Sequence, residues 1–437
     1  MSLDLKNLFE PKSAVLVGAS DLDCEEKVYS TLFHFLIQNF SNFKMGKIYI
    51  VDLSGKIEKS VKHIGSIRAG QDLAIVLLPK KMLAKHLQKL LTRKVKSLVL
   101  IEAKMDDEQI AELSNVAKRK KIALIGPDSI GVINTANNLM AVPERVQIST
   151  GHVAVVSQDS CVAYNILDLA RTTGISKMVS INDTIGTDES DVLSHFSKDT
   201  ETKVICVYVK KVRDGRKFVK TIREIVAEKP VIVLSGSAER SEIFEAAIKQ
   251  AGALLTHDVQ EMLNGAAGLA RQPPLFGERV AVITNLAGQA ELFERYLLEW
   301  DLSLARPSEN VVEKIRKKYP NAETVGSINL GPAAKANAYK SVVEMLLSDA
   351  NVDGVMMINS MKSTLFNLED LRGIADVAKK SNKKPVVDAV LCAEHDTNTK
   401  EIMTNTDLPI YNQLEEAVHV LGILRSRGKQ LEKLQKK

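Results

Sequence analysis

The chain has 437 residues, of which 45% are hydrophobic, 26% charged and 5% aromatic, and its formal net charge at pH 7 is +5. This composition excludes a disordered chain, and the length predicts about three domains. The four cysteines are scattered without a C-x-x-C pair, which indicates neither a zinc site nor a disulfide framework and favours a reducing, cytoplasmic compartment. No apolar run approaches the roughly 18 residues of a membrane span, so we expect no membrane association.

Basic and acidic residues are interspersed along most of the chain. The exceptions are the run Lys118–Lys121 and the tail after Arg425. No aromatic residues are interleaved with these lysines to stack on bases. We therefore interpret them as solvated helix surface and expect no nucleic-acid partner.

The first 140 residues alternate short apolar runs with amphipathic helical patterns such as Gln109–Lys118. The runs predicted as buried parallel strands are Ser13–Val17, Lys47–Val51, Leu73–Leu78, Ser97–Ile101 and Ile122–Ile125. Strands alternating with helices are typical of βαβ units in a doubly wound sheet. We predict a Rossmann-like domain over residues 1–140.

Two further α/β units follow, predicted at residues 145–272 and 275–425, with a basic tail at 426–437. The pair Pro273–Pro274 marks the linker between them. The segments GHVAVVSQDSCVAYNILDLARTTG and GERVAVITNLAGQAELFERYLLEWD share one strand, turn and helix pattern. This similarity predicts a duplicated flavodoxin-like domain.

The first strand runs into the turn Gly18-Ala19-Ser20, followed by a helix. Gly18 permits close approach of a ligand, and Ser20 with nearby amides suits a phosphate at a helix N-terminus, to which Lys27 adds positive charge. A structural turn explains one glycine equally well, since the G-x-G-x-x-G pattern is absent. We interpret Asp52, after the strand KIYIV, as a strand-end cap rather than a ribose ligand.

Successive motifs in the chain resemble the alpha region of the NDP-forming acyl-CoA synthetases, which is related to the succinyl-CoA synthetase alpha subunit. They are LFEPKSAVLVGAS, GKIYIVD, DLAIVLLPKKML, IGPDSIGVINT, VAVVSQDS and KPVIVLSG, and the resemblance covers nearly the whole chain. It implies CoA or acyl-CoA as the cofactor, bound by the positions that match the family contacts. These are Gly18, Ala19, Ser20, Lys27, Pro79, Gly126, Pro127, Asp128 and Ser129.

The chain departs from the family pattern at two places near this implied CoA site. Asp128-Ser129 stands where relatives carry Asn-Cys, and Glu102-Ala103-Lys104-Met105 replaces a turn resembling Ser-Ala-Gly-Phe. Loss of that glycine removes a close approach to the pantetheine.

The resemblance implies a histidine that carries phosphate, in a loop after the strand KPVIVLSG. Here Ser235-Gly236-Ser237 leads through Ala238–Ser241 directly into a helical pattern, so the loop is predicted to be deleted. His257 is the nearest candidate, and we interpret it as a surface or capping residue in preference to a catalytic one.

A second set of changes affects the phosphate turn of the family. Relatives carry Ser-Gln-Ser-Gly-Ala, whereas this chain has Ser157-Gln158-Asp159-Ser160-Cys161, with a carboxylate in the position favoured for an anion. Lys210 replaces a glutamate that pairs with the histidine. These residues predict a degenerate phosphate site.

Three functions stay open. The chain is a CoA- or acyl-CoA-binding protein that has lost catalysis and acts as a sensor or complex subunit. Alternatively, it is the active alpha subunit of an ADP-forming acetate or acyl-CoA ligase, working with a separate ATP-grasp beta subunit. As a third alternative, it is a scaffold without a ligand; homo-oligomers are a further possible assembly. We predict no metal, because Asp188, Glu189 and Asp191 are typical of a helix start.

Overall fold

The structure is a computed structural model. It describes residues 4–23, 26–44, 46–56, 69–182, 186–236, 242–285, 290–362, 365, 371–381, 383–391 and 406–436. The chain forms two compact units, Met1–Val259 and Gln260–Lys437.

Sheet 1, in the first unit, has five parallel strands in the order β2-β1-β3-β4-β5. The strands are β1 Ser13–Gly18, β2 Lys47–Asp52, β3 Leu73–Val76, β4 Ser97–Ile101 and β5 Ala123–Ser129. The helices are α1 Lys6–Phe9, α2 Lys27–Phe40, α3 Lys80–Thr92 and α4 Asp107–Lys120. Every residue of β3 and β4 is buried, which is why their sequences are continuous apolar runs.

Sheet 2 completes the first unit with the order β12-β11-β10-β8-β9-β6-β7. Its strands are β6 Val132–Asn134, β7 Leu139–Ala141, β8 Thr150–Ser157, β9 Ile175–Ser180, β10 Val204–Val209, β11 Val231–Ser235 and β12 Leu254–Thr256. Its helices are α5 Ser160–Leu169, α6 Glu189–Ser197, α7 Gly215–Ile225 and α8 Glu242–Ala251. β6 and β7 form an antiparallel hairpin on β9, and the other strands are parallel.

Sheet 3 lies in the second unit, with the order β14-β13-β16-β17-β18 and β15 paired with β13. Its strands are β13 Arg279–Thr284, β14 Ser303–Leu304, β15 Ile328–Asn329, β16 Gly354–Ser360, β17 Val386–Leu391 and β18 Ile410–Tyr411. The helices are α9 Val259–Arg271, α10 Ala290–Leu298, α11 Glu309–Lys318, α12 Ala336–Leu347, α13 Leu371–Ser381 and α14 Leu414–Gln435.

The predicted α/β class with doubly wound parallel sheets is confirmed. With the short β15 set aside, the parallel strands of each sheet follow the 2-1-3-4-5 order of flavodoxin-like folds when numbered along the chain within that sheet. The shared order of sheets 2 and 3 supports the predicted duplication. The domain limits remain predictions.

Two details differ from the sequence interpretation. The hairpin of β6 and β7 joins sheet 2, although residues up to 140 were assigned to the first domain. The basic tail is the last part of α14, and its Arg427 is only 4% exposed, because this helix face packs within the second unit. Within the described ranges, no helix combines the length and apolarity that a bilayer crossing requires.

Candidate functional site

The ligand crevice of a doubly wound sheet opens at the carboxyl ends of its strands, where the first strand meets the third. These strand pairs are β1 and β3 in sheet 1, β8 and β10 in sheet 2, and β13 and β16 in sheet 3. Gly18, Pro79, Ser157 and Lys210 lie at or just after these carboxyl ends, whereas Gly126–Ser129 lie in β5. The local contacts at each end therefore decide what it is able to bind.

Gly18 ends β1, and its missing side chain leaves room for helix α2. A Cβ at this position would lie 2.2 Å from Cδ2 of Phe33, which belongs to α2 and is fully buried. Any larger residue would push the helix away from the sheet. Helix packing thus accounts for this glycine without a ligand.

The carboxylate of Asp52, at the end of β2, binds the turn after β1. Its Oδ1 accepts a hydrogen bond from the Ser20 amide at 2.8 Å, and its Oδ2 accepts one from the Ser20 hydroxyl at 2.7 Å. The hydroxyl of Ser54 donates to Oδ1 at 2.7 Å and the amide of Lys56 to Oδ2 at 2.9 Å. The groups expected to hold a phosphate are therefore already bonded to a side chain of the protein.

Asp52 keeps its negative charge in this environment. Burial acts to raise its pKa, but the hydrogen bonds from Ser20 and Ser54 outweigh burial and hold the pKa of Asp52 well below its usual range. An incoming phosphate at Ser20 would thus meet an ionised carboxylate.

The other residues implied to contact CoA lie along the same carboxyl edge of sheet 1. Lys27 is the exposed first residue of α2, and Ala19 and Pro79 are buried where β1 and β3 end. Gly126 and Pro127 are buried within β5 and joined by a cis peptide bond. The edge is thus mostly backbone and apolar surface, with Lys27 and Lys56 near the turn.

Asp128 and Ser129 link this edge to sheet 2. The Asp128 carbonyl accepts hydrogen bonds from the Ser160 hydroxyl and the Asn182 side-chain amide. The Ser129 hydroxyl donates to the Ser180 carbonyl at 2.6 Å. The structure therefore brings the implied CoA residues and the predicted phosphate turn into contact through Asp128 and Ser160.

Glu102 also lies at this edge. From the sequence it was noted only as the first residue of the turn Glu102-Ala103-Lys104-Met105, which lacks the glycine of the family pattern. Glu102 follows β4 in left-handed backbone with φ of 46°, and its carbonyl accepts from the Tyr29 hydroxyl at 3.4 Å. Burial and the nearby charge of Asp128 raise the pKa of Glu102. A polar residue ending a fully apolar strand was the available signal for it.

The turn after β8 is closed by an ion pair. Asp159 caps α5, with its Oδ1 accepting from the Val162 amide at 2.9 Å, and its Oδ2 lies 2.9 Å from Nζ of Lys210. Burial acts to raise the pKa of Asp159, but the hydrogen bonds from Val162 and Lys210 lower it overall. Asp159 is therefore an ionised helix cap that also binds the cation at the end of β10.

Sheets 2 and 3 share one type of hydrogen bond at their carboxyl ends. Gln158, after β8, accepts from amides after β10, and Asn285, after β13, accepts from an amide at the end of β16. The Gln158 Oε1 accepts from the amides of Lys210 and Lys211 at 2.8 and 3.0 Å, and Ser157 beside it is fully buried. In sheet 3, the Asn285 Oδ1 accepts from the Ser360 amide at 2.9 Å. The two crevices thus share one structural device.

The acids at the start of α6 have a structural role. Asp188 and Asp191 form a reciprocal capping box, and Lys217 Nζ lies 2.7 Å from Asp188 and 2.8 Å from Asp191. Glu189 is buried and accepts a hydrogen bond from Gln158. Among the residues that the structure describes, no group of three His, Cys, Asp or Glu is placed to hold a metal ion.

The family model and two curated relatives that match this chain all describe CoA ligases. Residues 150–269 match the family model described as the succinyl-CoA ligase like flavodoxin domain. The alpha subunit of an ADP-forming acetate–CoA ligase II from Pyrococcus furiosus is 27% identical over 97% of this chain and 98% of its own length. The chain is thus similar to alpha subunits of ADP-forming acetate–CoA ligases.

Two other relatives define the extent of the match. An ADP-forming acetate–CoA ligase from Methanocaldococcus jannaschii is 28% identical over 74% of this chain, which spans 48% of that ligase. A crystal structure of a Pyrococcus horikoshii OT3 protein aligns with a TM-score of 0.89 at 27% identity, covering 98% of this chain and 100% of the other. The chain therefore matches the P. furiosus alpha subunit along its length and about half of the M. jannaschii ligase.

The resemblance implies a phosphate-carrying histidine in the segment that follows β11. The described part of β11 ends at Ser235 and that of α8 begins at Glu242, and the six residues between them in the sequence include no histidine. Residues 237–241, where the loop deletion was predicted, lie outside the described part of the chain. His257 is exposed and follows β12, the edge strand of sheet 2.

Proposed function

We propose that this protein is a CoA- or acyl-CoA-binding subunit that retains the ligase alpha-subunit scaffold without carrying a phosphoryl group, and that acts as a sensor or as a subunit of a complex. The ion pair between Asp159 and Lys210 is the observation that carries the proposal. It lies at the position where the family resemblance implies a phosphate.

Two electrostatic arguments support loss of the phosphoryl step. The amide of Val162 is bonded to the carboxylate of Asp159, which repels a second anion at the N-terminus of α5. Lys210 stands where relatives carry the glutamate that pairs with their histidine, and a cation there disfavours a protonated imidazole. The chain offers His257 as the nearest histidine, and this residue is exposed.

The proposed ligand follows from the relatives, whose names describe CoA ligases. The binding residues are proposed along the carboxyl edge of sheet 1, with Lys27 as the cation for a CoA phosphate and Pro79 and Gly126 beside the chain of the ligand. The ionised Asp52 opposes a phosphate at Ser20 itself. We therefore place the phosphate contact at Lys27 and the helix start.

The partner and location complete the proposal. A separate ATP-grasp subunit, or a second copy of this chain, is the proposed partner, and the cytoplasm is the proposed location. The alternative of a working alpha subunit is favoured by the full-length match to the P. furiosus subunit. It differs from our proposal in one measurable property, the formation of phosphohistidine.

Radiolabelled acetyl phosphate tests the phosphoryl step. The full chain is incubated with it, and separately with ATP and an ATP-grasp subunit, while the P. furiosus alpha subunit serves as positive control. We expect no acid-labile label on this chain. Stoichiometric label that is lost in His257→Ala would overturn the proposal and establish the working alpha subunit.

Calorimetry with CoA and acetyl-CoA tests ligand binding. Lys27→Gln removes the proposed phosphate contact, and Lys47→Gln, at the opposite end of the same sheet, is the matched control for the loss of one exposed positive charge. We expect binding to weaken in the first variant and to persist in the second. Absence of heat with wild-type protein at millimolar CoA would favour the scaffold without a ligand.

A further inference from the structure

A cleft of about 1090 Å³ lies in the first unit, at the amino-terminal edge of sheet 1. One wall comes from the amino-terminal edge of sheet 1, where α3 and α4 end and β4 and β5 begin. The other wall comes from the start of α6, Lys217 of α7 and the segment around α1. Its lining includes Asp4, Thr92, Lys94, Lys96, Lys118, Lys120, Lys121, Ile122, Asp188, Asp191 and Lys217. Pockets for small molecules commonly span about 300–1,000 Å³, so the cleft has room for a nucleotide-sized ligand.

The charges lining the cleft are unbalanced. Six lysines and three aspartates line the cleft, and one of the lysines, Lys217, is paired with Asp188 and Asp191 on their own wall. Lys96 is paired with Asp72, which lies outside the cleft, and Lys120 donates a hydrogen bond to the carbonyl of Leu91. No carboxylate of the described residues forms an ion pair with the remaining three lysines of the sheet 1 wall, which are Lys94, Lys118 and Lys121.

A structural role accounts for only part of this lysine cluster. Cations near a helix C-terminus interact favourably with the helix dipole, which is sufficient for Lys118 in the last turn of α4. Lys94 and Lys121, however, lie beyond their helices in left-handed backbone, with φ of 56° and 55°. Glycine or asparagine is the favourable residue in that conformation. Backbone geometry therefore gives no reason for a lysine at either position.

We propose that this cleft binds a phosphate-bearing small molecule of nucleotide size. Its phosphates contact Lys94, Lys118 and Lys121, because an ammonium group paired with phosphate forms strong charge-assisted hydrogen bonds. Asp188 and Asp191 on the facing wall stay paired with Lys217 and limit how far a bound anion extends. An extended polyanion such as a nucleic acid would run into these two carboxylates, which is why a small ligand fits better. The inference does not depend on CoA binding at the Gly18 turn.

Calorimetry on the full chain tests the proposal with three probes: ATP, tripolyphosphate and adenosine. The cleft variant is Lys94→Gln/Lys118→Gln/Lys121→Gln, and the control is Lys314→Gln/Lys317→Gln/Lys340→Gln, which removes the same charge from exposed sites in the second unit. We expect ATP to bind wild type more tightly than tripolyphosphate does, and adenosine to give no heat. The cleft variant should bind ATP at least about tenfold more weakly, while the control changes little.

Several outcomes would overturn the inference. They are absence of heat with both ATP and tripolyphosphate at millimolar concentration, equal weakening in the two triple variants, and binding that is abolished by Lys27→Gln instead. Thermal unfolding checks that the variants are folded. If the triple variant does not fold, the single variant Lys118→Gln on the helix surface provides the same comparison against Lys340→Gln.

Discussion

Replacing Asp159 with serine should create an anion site at the N-terminus of α5. Serine caps a helix about as well as aspartate, so the helix start should survive the change. The substitution removes the carboxylate that accepts from Val162 and releases Lys210 from its ion pair. A phosphate at this turn then meets a neutral cap and the ammonium group of Lys210 instead of a negative charge.

The size of the gain in phosphate affinity follows from the charge that Asp159 places at the helix start. Two unit charges about 4 Å apart interact by about 4 kcal/mol at an effective dielectric constant near 20. Lys210 has a side chain that is 54% exposed and Asp159 one that is 24% exposed, so solvent screening reduces this value. We take about 1–2 kcal/mol as the remaining repulsion between the Asp159 carboxylate and a phosphate at the same helix start. Removing it corresponds to roughly a tenfold gain in phosphate affinity.

Phosphate titration at neutral pH, followed by calorimetry or by the shift of the thermal unfolding midpoint, measures the gain. Asp159→Asn is the matched variant, because it retains the shape and the cap while removing the charge, and it should gain as much as Asp159→Ser. Adding Lys210→Gln to either variant should cancel most of the gain. The electrostatic reasoning is wrong if neither variant binds phosphate more tightly than wild type does, or if the gain survives loss of Lys210.

Three further predictions concern stability. Asp388 is fully buried, and burial raises its pKa well above 3.8. Its stabilising contribution is therefore complete at acid pH and is lost as the pH rises toward the pKa of the folded state. Asp388→Asn should gain stability over wild type from about pH 4 upward, and a difference in unfolding midpoint that does not vary with pH would contradict this. Asp52→Ala leaves the Ser20 turn without its acceptor and should lower the free energy of unfolding by about 2–4 kcal/mol in urea titrations, with a value near zero counting against the network. Gly422→Ala places a Cβ 2.1 Å from Cδ2 of Trp300 and should cost about 1–3 kcal/mol in the same assay, whereas Gly373→Ala, with no atom within 4 Å of the added Cβ, should be neutral or stabilising.

The strands were predictable from the sequence because helix-covered parallel strands are uniformly apolar. Ser97–Ile101 was predicted with its observed bounds, and β1 extends only one residue beyond Ser13–Val17. The helix-start interpretation of Asp188 also follows from a local rule, since a capping box spans only four residues. Local patterns of this kind are visible in a single sequence.

The contacts of the candidate site were harder to predict from the sequence. Asp52 and Ser20 are 32 positions apart, and nothing in the segment around Asp52 indicates that its carboxylate turns toward the end of β1. The partner of Asp159 is 51 positions away, and Lys210 was singled out only through the family resemblance. Side-chain pairing between adjacent strands depends on sheet order, which the sequence did not determine.

Binding at the first turn has a consequence for the effect of pH. The hydrogen bonds from Ser20 and Ser54 hold the pKa of Asp52 so low that the carboxylate stays ionised throughout the range in which the protein is handled. Protonation of Asp52 therefore cannot release the Ser20 amide for a ligand phosphate, and a CoA phosphate must either lie nearer Lys27 or displace the carboxylate. Displacement breaks several hydrogen bonds of Asp52, each worth about 0.5–1.5 kcal/mol, whereas contact at Lys27 leaves the hydrogen bonds between Asp52 and Ser20 in place. If CoA binds at Lys27, Asp52→Asn should change its affinity only through the lost charge, and CoA affinity should not increase as the pH is lowered from 7 toward about 5.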